Sequence, residues 1–171
     1  PLHSEYVGLG MLDAVAVGPV FTSPTPVQIR QAILDVAGPA GALVIVKNYS
    51  GDVMNFEMAV EITDEVPVKL VTVADDVAIA ETGHTPTRRG VGLTVLLEKI
   101  VGAAAEAGYS LDEIAALPER VIARGRSLGV ALSAGTHPEA GTPTFELGEH
   151  ELEFGVGIHG EPGIETMTMM S

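Results

Sequence analysis

Ala42-Leu43-Val44-Ile45-Val46-Lys47-Asn48-Tyr49-Ser50-Gly51-Asp52 decides the fold class. Residues 42–46 are continuously apolar, as a strand buried on both faces requires. A short polar loop, 48–51, follows. A second amphipathic helix then begins at about Asp52, with Phe56, Ala59, Val60 and Glu61 at helical spacing. Residues 68–73 form another buried strand. On the N-terminal side, the loop 18–26 ends in a helix start: Thr25 can cap and Pro26 suits the first turn. Ile29, Ile33, Leu34 and Ala37 then mark an apolar face, and Gly38-Pro39 stops the helix. On the C-terminal side, 91–107 reads as a long Ala/Leu/Val helix closed by Gly108. Ser110 and Glu113 form a capping box for the next helix, which Pro118 is expected to bend or delay. Residues 128–133 and 151–158 are further strand candidates. Alternating strands and helices predict parallel pairing in a layered α/β/α domain. Past about residue 128 the pattern shifts to strands and Gly/Pro/Thr-rich loops. Residues 1–127 are therefore expected to form an α/β domain, and 128–171 the beginning of a second, α+β domain.

Composition narrows the function. Hydrophobic residues make up 46% of the 171, enough for a substantial core, while aromatics are only 4%. Nine basic residues against 23 acidic ones give a net charge of −14, which argues against nucleic acid and anionic membrane surfaces. No apolar run approaches the roughly 18 residues a membrane helix needs. With no cysteine there is neither a disulfide framework nor thiolate chemistry, so an acidic cytoplasmic α/β protein is expected. The chain starts Pro1-Leu2-His3 and ends Met169-Met170-Ser171, and it reads as an excerpt of something longer.

Several segments could carry chemistry. Lys47 leaves a buried strand at its carboxyl end, where ligands bind in open α/β sheets, and Asp52 lies at or next to a helix N-cap. One reading makes Lys47 a ligand anchor and Asp52 a base or hydroxyl-orienting carboxylate; the other makes them a solvated strand-end lysine and a cap. Asp75-Asp76 ends the next strand, and without a third hard ligand a turn or cap role is favoured over a Mg²⁺ site. The loop 83–92 carries Arg88-Arg89-Gly90 at a helix start. Loop-anchoring ion pairs and phosphate contacts both fit it, and its glycine spacing matches neither a P-loop nor a dinucleotide fingerprint. His3, His137 and His150 lack compact metal spacing. His159 stands apart: it sits between glycines in Gly157-Ile158-His159-Gly160-Glu161-Pro162-Gly163, directly after an alternating strand-like run. That leaves its imidazole open to close approach by a ligand.

In order along the chain, Pro1-Leu2-His3, Phe21-Thr22-Ser23-Pro24-Thr25-Pro26, Val46-Lys47-Asn48-Tyr49-Ser50-Gly51-Asp52-Val53-Met54-Asn55-Phe56, Asp75-Asp76-Val77-Ala78, Arg88-Arg89-Gly90 and Phe154-Gly155-Val156-Gly157-Ile158-His159-Gly160-Glu161-Pro162-Gly163 resemble the K domain, or K subunit, of dihydroxyacetone kinases. The resemblance implies that His159 forms a covalent hemiaminal with the substrate ketone. It also implies that Lys47 and Asp52 contact dihydroxyacetone, with Asp52 as acid or base. It implies further that the chain binds no cofactor of its own. ATP with Mg²⁺, or a phosphotransferase-system donor, would be carried by a partner L domain or subunit, and the assembly would be a homodimer. The family's other catalytic histidine lies just before the position of Pro1. Two rival expectations remain: a kinase for another short ketose such as erythrulose, and a non-catalytic triose-binding regulatory paralogue.

Overall fold

A computed structural model describes residues 2–79, 87–136, 138 and 140–169. A 3₁₀ turn (Leu2–Tyr6) is followed by α1 (Pro26–Val36), β1 (Ala42–Lys47), α2 (Ser50–Glu61), β2 (Val68–Val73), α3 (Leu93–Glu106) and α4 (Leu111–Arg124). Three short strands come next: β3 (Val130–Ala131), β4 (Glu151–Phe154) and β5 (Glu165–Thr168).

The mixed α/β architecture expected from the sequence is present. β1 and β2 pair in parallel, from Ala42 opposite Val68 to Lys47 opposite Val73, so their carboxyl ends lie side by side. Alternation along both strands feeds two cores. Ala42, Val44, Val68 and Leu70 pack with Ile29 and Ile33 of α1 and Ala59 of α2. Leu43, Ile45, Val71 and Val73 pack with Leu93, Leu97 and Val101 of α3 and Ile114 of α4. The strands thus form the middle of three layers, which is why they read as unbroken apolar runs. Each fully buried side chain such as Ile29 or Leu97 contributes about 1.5–3 kcal/mol relative to an exposed one.

Local signals place the helix starts. Thr25 accepts the Gln28 amide on its hydroxyl, while the Gln28 side chain accepts the Thr25 amide at 2.9 Å. Ser110 and Glu113 repeat this box, with the Ser110 amide donating at 2.8 Å.

Four details differ from the sequence expectation. α2 begins at Ser50, because Tyr49 stays extended and serves as its N-cap. Asp52 therefore lies within the first turn. α4 runs without a break through Pro118, whose ring is fully buried on the side facing the sheet. The anticipated strands at 128–133 and 151–158 shrink to β3 and β4; β4 ends where Gly155 turns to φ +84°. β5 is an additional strand, antiparallel to β4, completing a second sheet in the order β3-β4-β5. The buried Glu153 carboxylate pins this sheet together by accepting the Gly163 amide at 2.9 Å and the Thr166 hydroxyl at 2.6 Å. Among the described residues no helix is long and apolar enough to cross a membrane. His137 and residues 83–86 of the Arg88-Arg89 loop lie outside the described residues.

Candidate functional site

The two carboxyl strand ends are closed by a glycine. A Cβ on Gly90 would stand 2.3 Å from the Val73 carbonyl oxygen and 2.8 Å from Lys47 Cα, so only glycine lets the 87–92 segment cross there. The Asn48 amide extends the ladder by donating to the Val73 oxygen at 2.9 Å, and the Asn48 side chain donates to the Arg88 carbonyl at 2.8 Å.

Asp75 and Asp76 follow β2 and are both fully buried. The Asp75 carboxylate accepts the Val91 amide at 2.7 Å and the Leu93 amide at 2.9 Å, capping α3 from across the sheet. Asp76 accepts the Ala78 amide at 2.9 Å, a turn bond, and the Arg89 guanidinium at 2.7 Å. Cap and turn roles therefore account for both acids. Arg89 also donates to the Gly155 carbonyl at 2.8 Å, so it anchors the loop and ties the first sheet to the start of the His159 loop. Among the described residues no group of three or more His, Asp or Glu side chains is arranged to hold a metal ion.

Lys47, Asp52 and His159 come together. All three line one cavity of about 1050 Å³, together with Tyr49, Phe21 and Glu98. Lys47 ends β1 and is half-buried. Burial pulls its ammonium below the usual lysine value, while Glu98, then Asp52 and Asp75, push it back up. Asp52, in the first turn of α2, favours the positive end of the helix dipole.

His159 is held on three sides. Its ring meets Tyr49 edge-on with centroids 4.4 Å apart, and Phe21 at 5.9 Å. Phe21 adopts φ +57°, a left-handed backbone that a bulky residue rarely takes. The adjoining segment is fixed by Asn55 of α2, which donates to Ser23 Oγ at 3.2 Å and the Pro24 carbonyl at 2.9 Å. On the third side, Glu161 accepts the His159 backbone amide at 2.9 Å and faces Nδ1 at 3.3 Å. Partial burial works to raise the Glu161 carboxyl. The hydrogen bonds from its own backbone and from His159 outweigh that effect and hold it below the usual glutamate range. With Nδ1 facing a carboxylate, the neutral form of the ring is the tautomer with its proton on Nδ1 and its lone pair on Nε2.

Three contributors escaped the sequence reading. Glu161 was legible only as part of a Gly-Pro turn, although a carboxylate two residues from a loop histidine was itself a signal. Tyr49 and Phe21 gave no local signal, because their contacts with His159 span more than 100 residues of sequence.

A mixed α/β domain whose parallel strands end beside a cavity lined by a lysine, an acid and a histidine belongs to the architectural class in which ligand sites lie at strand carboxyl ends. The Dak1 domain family matches residues 1–171, and the chain belongs to that family. It is 55% identical over 172 residues to the "PTS-dependent dihydroxyacetone kinase 1, dihydroxyacetone-binding subunit DhaK" of Listeria innocua, covering 99% of this chain and 52% of the relative. The chain thus spans about half the length of the curated relatives it matches. Among solved structures, a "Dihydroxyacetone kinase operon co-activator Dha-DhaQ" superposes with a TM-score of 0.89 at 37% identity, over 100% of this chain and 53% of the other. The dihydroxyacetone kinase from C. freundii in complex with AMP-PNP and Mg²⁺ gives 0.86 at 36% identity, over 100% of this chain and 32% of the other.

Proposed function

We propose that this chain is the dihydroxyacetone-binding part of a dihydroxyacetone kinase, and that His159 holds the ketone as a covalent hemiaminal during phosphoryl transfer. The observation that carries the reading is one cavity lined by Lys47, Asp52 and a histidine whose Nδ1 faces Glu161. In this mechanism the Nε2 lone pair adds to the carbonyl carbon and the C=O π electrons pass to oxygen. That oxygen takes up a proton, and the Nδ1 proton leaves toward Glu161, so the adduct is neutral and no atom is lost. An imidazole nitrogen has no second hydrogen to lose, so the adduct stops at the tetrahedral stage. Glycerol, lacking a carbonyl, is excluded. Lys47 contacts the bound substrate, and Asp52 orients or deprotonates the terminal hydroxyl that attacks phosphorus.

In this reading Arg89, held by Asp76 and Gly155, and the Asp75 carboxylate, held by α3, serve the fold rather than a nucleoside triphosphate. In this reading the phosphoryl donor comes from a partner L module, and residues 128–171 begin a second domain whose role is to bring His159 to the first. A second reading, a triose-binding regulator without catalysis, is favoured by the likeness to the operon co-activator.

Carbon-13 NMR of carbonyl-labelled dihydroxyacetone with the full-length protein tests the trap. The carbonyl signal should move to a tetrahedral carbon with the native protein and stay unmoved with His159→Ala. An unmoved signal in both refutes the hemiaminal. Phosphorylation on adding a donor module then separates kinase from regulator.

A further inference from the structure

Lys47 and Asp52 stand on β1 and α2, whereas His159 stands on a loop that follows β4 of the second sheet. Glu161 orients the imidazole only within that loop. It lies two residues from His159, and its contact with Nδ1 is 3.3 Å, longer than a well-formed N–H···O bond of about 2.7–3.2 Å. Arg89 fixes the loop at Gly155, short of the histidine itself. The imidazole is met from the β1–α2 junction by Tyr49. The two ring centroids are 4.4 Å apart with the planes at 82°, at the near limit of the roughly 4.5–7 Å that aromatic pairs favour. Rings in such contact cannot turn independently. Phe21 stands farther off, at 5.9 Å.

Tyr49 is tied down on both sides. Its backbone is extended, at φ −128° and ψ 136°, where it caps α2. Its amide donates to the Lys47 carbonyl at 2.8 Å, and its carbonyl accepts the Val53 amide at 2.9 Å. The ring that meets His159 is thus built into the junction that carries Lys47 and Asp52. Burial, and then the Glu161 carboxylate, push its phenol above the usual tyrosine range, so the ring is neutral. Its buried hydroxyl has no hydrogen-bond partner among the described residues. The contact with His159 is therefore one of ring against ring. We propose that Tyr49 is the positioning residue for His159: its ring blocks rotation of the imidazole, keeping Nδ1 on Glu161 and Nε2 free, and sets the ring in register with Lys47 and Asp52. The inference rests on the reading of His159 as the carbonyl trap.

The tautomer of His159 reads the positioning directly. In the full-length protein, ¹⁵N-histidine labelling with long-range ¹H–¹⁵N correlation at alkaline pH shows which ring nitrogen carries the proton, and His159→Ala assigns the signals. The native ring should be protonated on Nδ1. Tyr49→Leu removes the aromatic wall and should give a mixture with the Nε2-protonated form. Tyr49→Phe keeps the wall without the hydroxyl and should retain the native signature. Capture of carbonyl-labelled dihydroxyacetone should weaken about threefold to tenfold in Tyr49→Leu, the range that an aromatic pair carries. A native tautomer in a folded Tyr49→Leu protein overturns the proposal, and so does a mixture in Tyr49→Phe. Should Tyr49→Leu fail to fold, Tyr49→Met fills the space with a flexible chain and is judged by the same signals. A tyrosine that only supported the fold would lower the melting temperature on substitution and leave the tautomer in place. The tautomer is read without dihydroxyacetone. If the native protein leaves the carbonyl signal unmoved, the trap is refuted, while the imidazole signals still decide whether Tyr49 orients His159.

Discussion

Asp75→Asn removes one charge and changes almost no volume, yet it should be among the most damaging substitutions in the first sheet. The native carboxylate is fully buried and accepts two amides, Val91 at 2.7 Å and Leu93 at 2.9 Å. An asparagine retains one acceptor oxygen and turns an NH₂ toward the second amide, so one buried donor loses its partner. That loss amounts to roughly 1–3 kcal/mol. Removing the negative charge from the start of α3 adds roughly 0.5–2 kcal/mol. The sum, about 3 kcal/mol, is a large share of the roughly 5–15 kcal/mol that holds a domain folded. In urea unfolding of the full-length protein the midpoint should drop by about 1 M with an unchanged slope. Asp75→Ala, which strands both amides, should drop further. A midpoint shift below about 0.3 M for asparagine would refute the capping account.

On the proposed hemiaminal reading, Glu161→Gln should weaken carbonyl capture about fivefold by calorimetry, since about 1 kcal/mol of charge-assisted bonding survives solvent screening at this partly exposed site. Its effect on stability should depend on pH. The folded carboxyl titrates below the unfolded one, so its contribution is complete above the unfolded value of about 4.3 and is lost as pH falls through the folded value. Melting curves of native and variant protein should therefore differ at neutral pH and converge in acid. Gly90→Ala would press a methyl group into the Val73 carbonyl and Lys47 Cα, at 2.3 and 2.8 Å. It should destabilise by about 3 kcal/mol and loosen the Lys47 end of β1, readable as faster amide exchange at Asn48.

What the sequence disclosed and withheld follows the range of each interaction. β1 and β2 were legible because both faces of each strand are covered, leaving no polar alternation to interpret. The caps at Thr25 and Ser110 were legible because both partners lie within one turn. β5 was hidden: Thr166 and Met167 are exposed, and the strand is held by pairing with β4 and by the buried carboxylate of Glu153. Pro118 misled because its cost to the helix is local, whereas its burial against the sheet is not. Lys47, Asp52 and His159 stood out as residue types at strand and helix ends. Their convergence on one cavity depends on contacts spanning more than 100 residues, which no local pattern encodes.

Arg89 gives the His159 loop an unusual ancestry of rigidity. Its guanidinium joins Asp76, at the end of a parallel strand, to the carbonyl of Gly155, and it lies so close beneath Gly157 that a Cβ there would sit 2.6 Å from Nη1. The start of the loop is thus fixed by a neighbouring layer, while Glu161 within the loop holds the imidazole itself. A protein engineer who wished to graft the His159 loop onto another scaffold would gain little by copying residues 155–163 alone. The transplant keeps its shape only with its foundation: an arginine against the loop, a buried aspartate to fix that arginine, and glycine where the two surfaces touch.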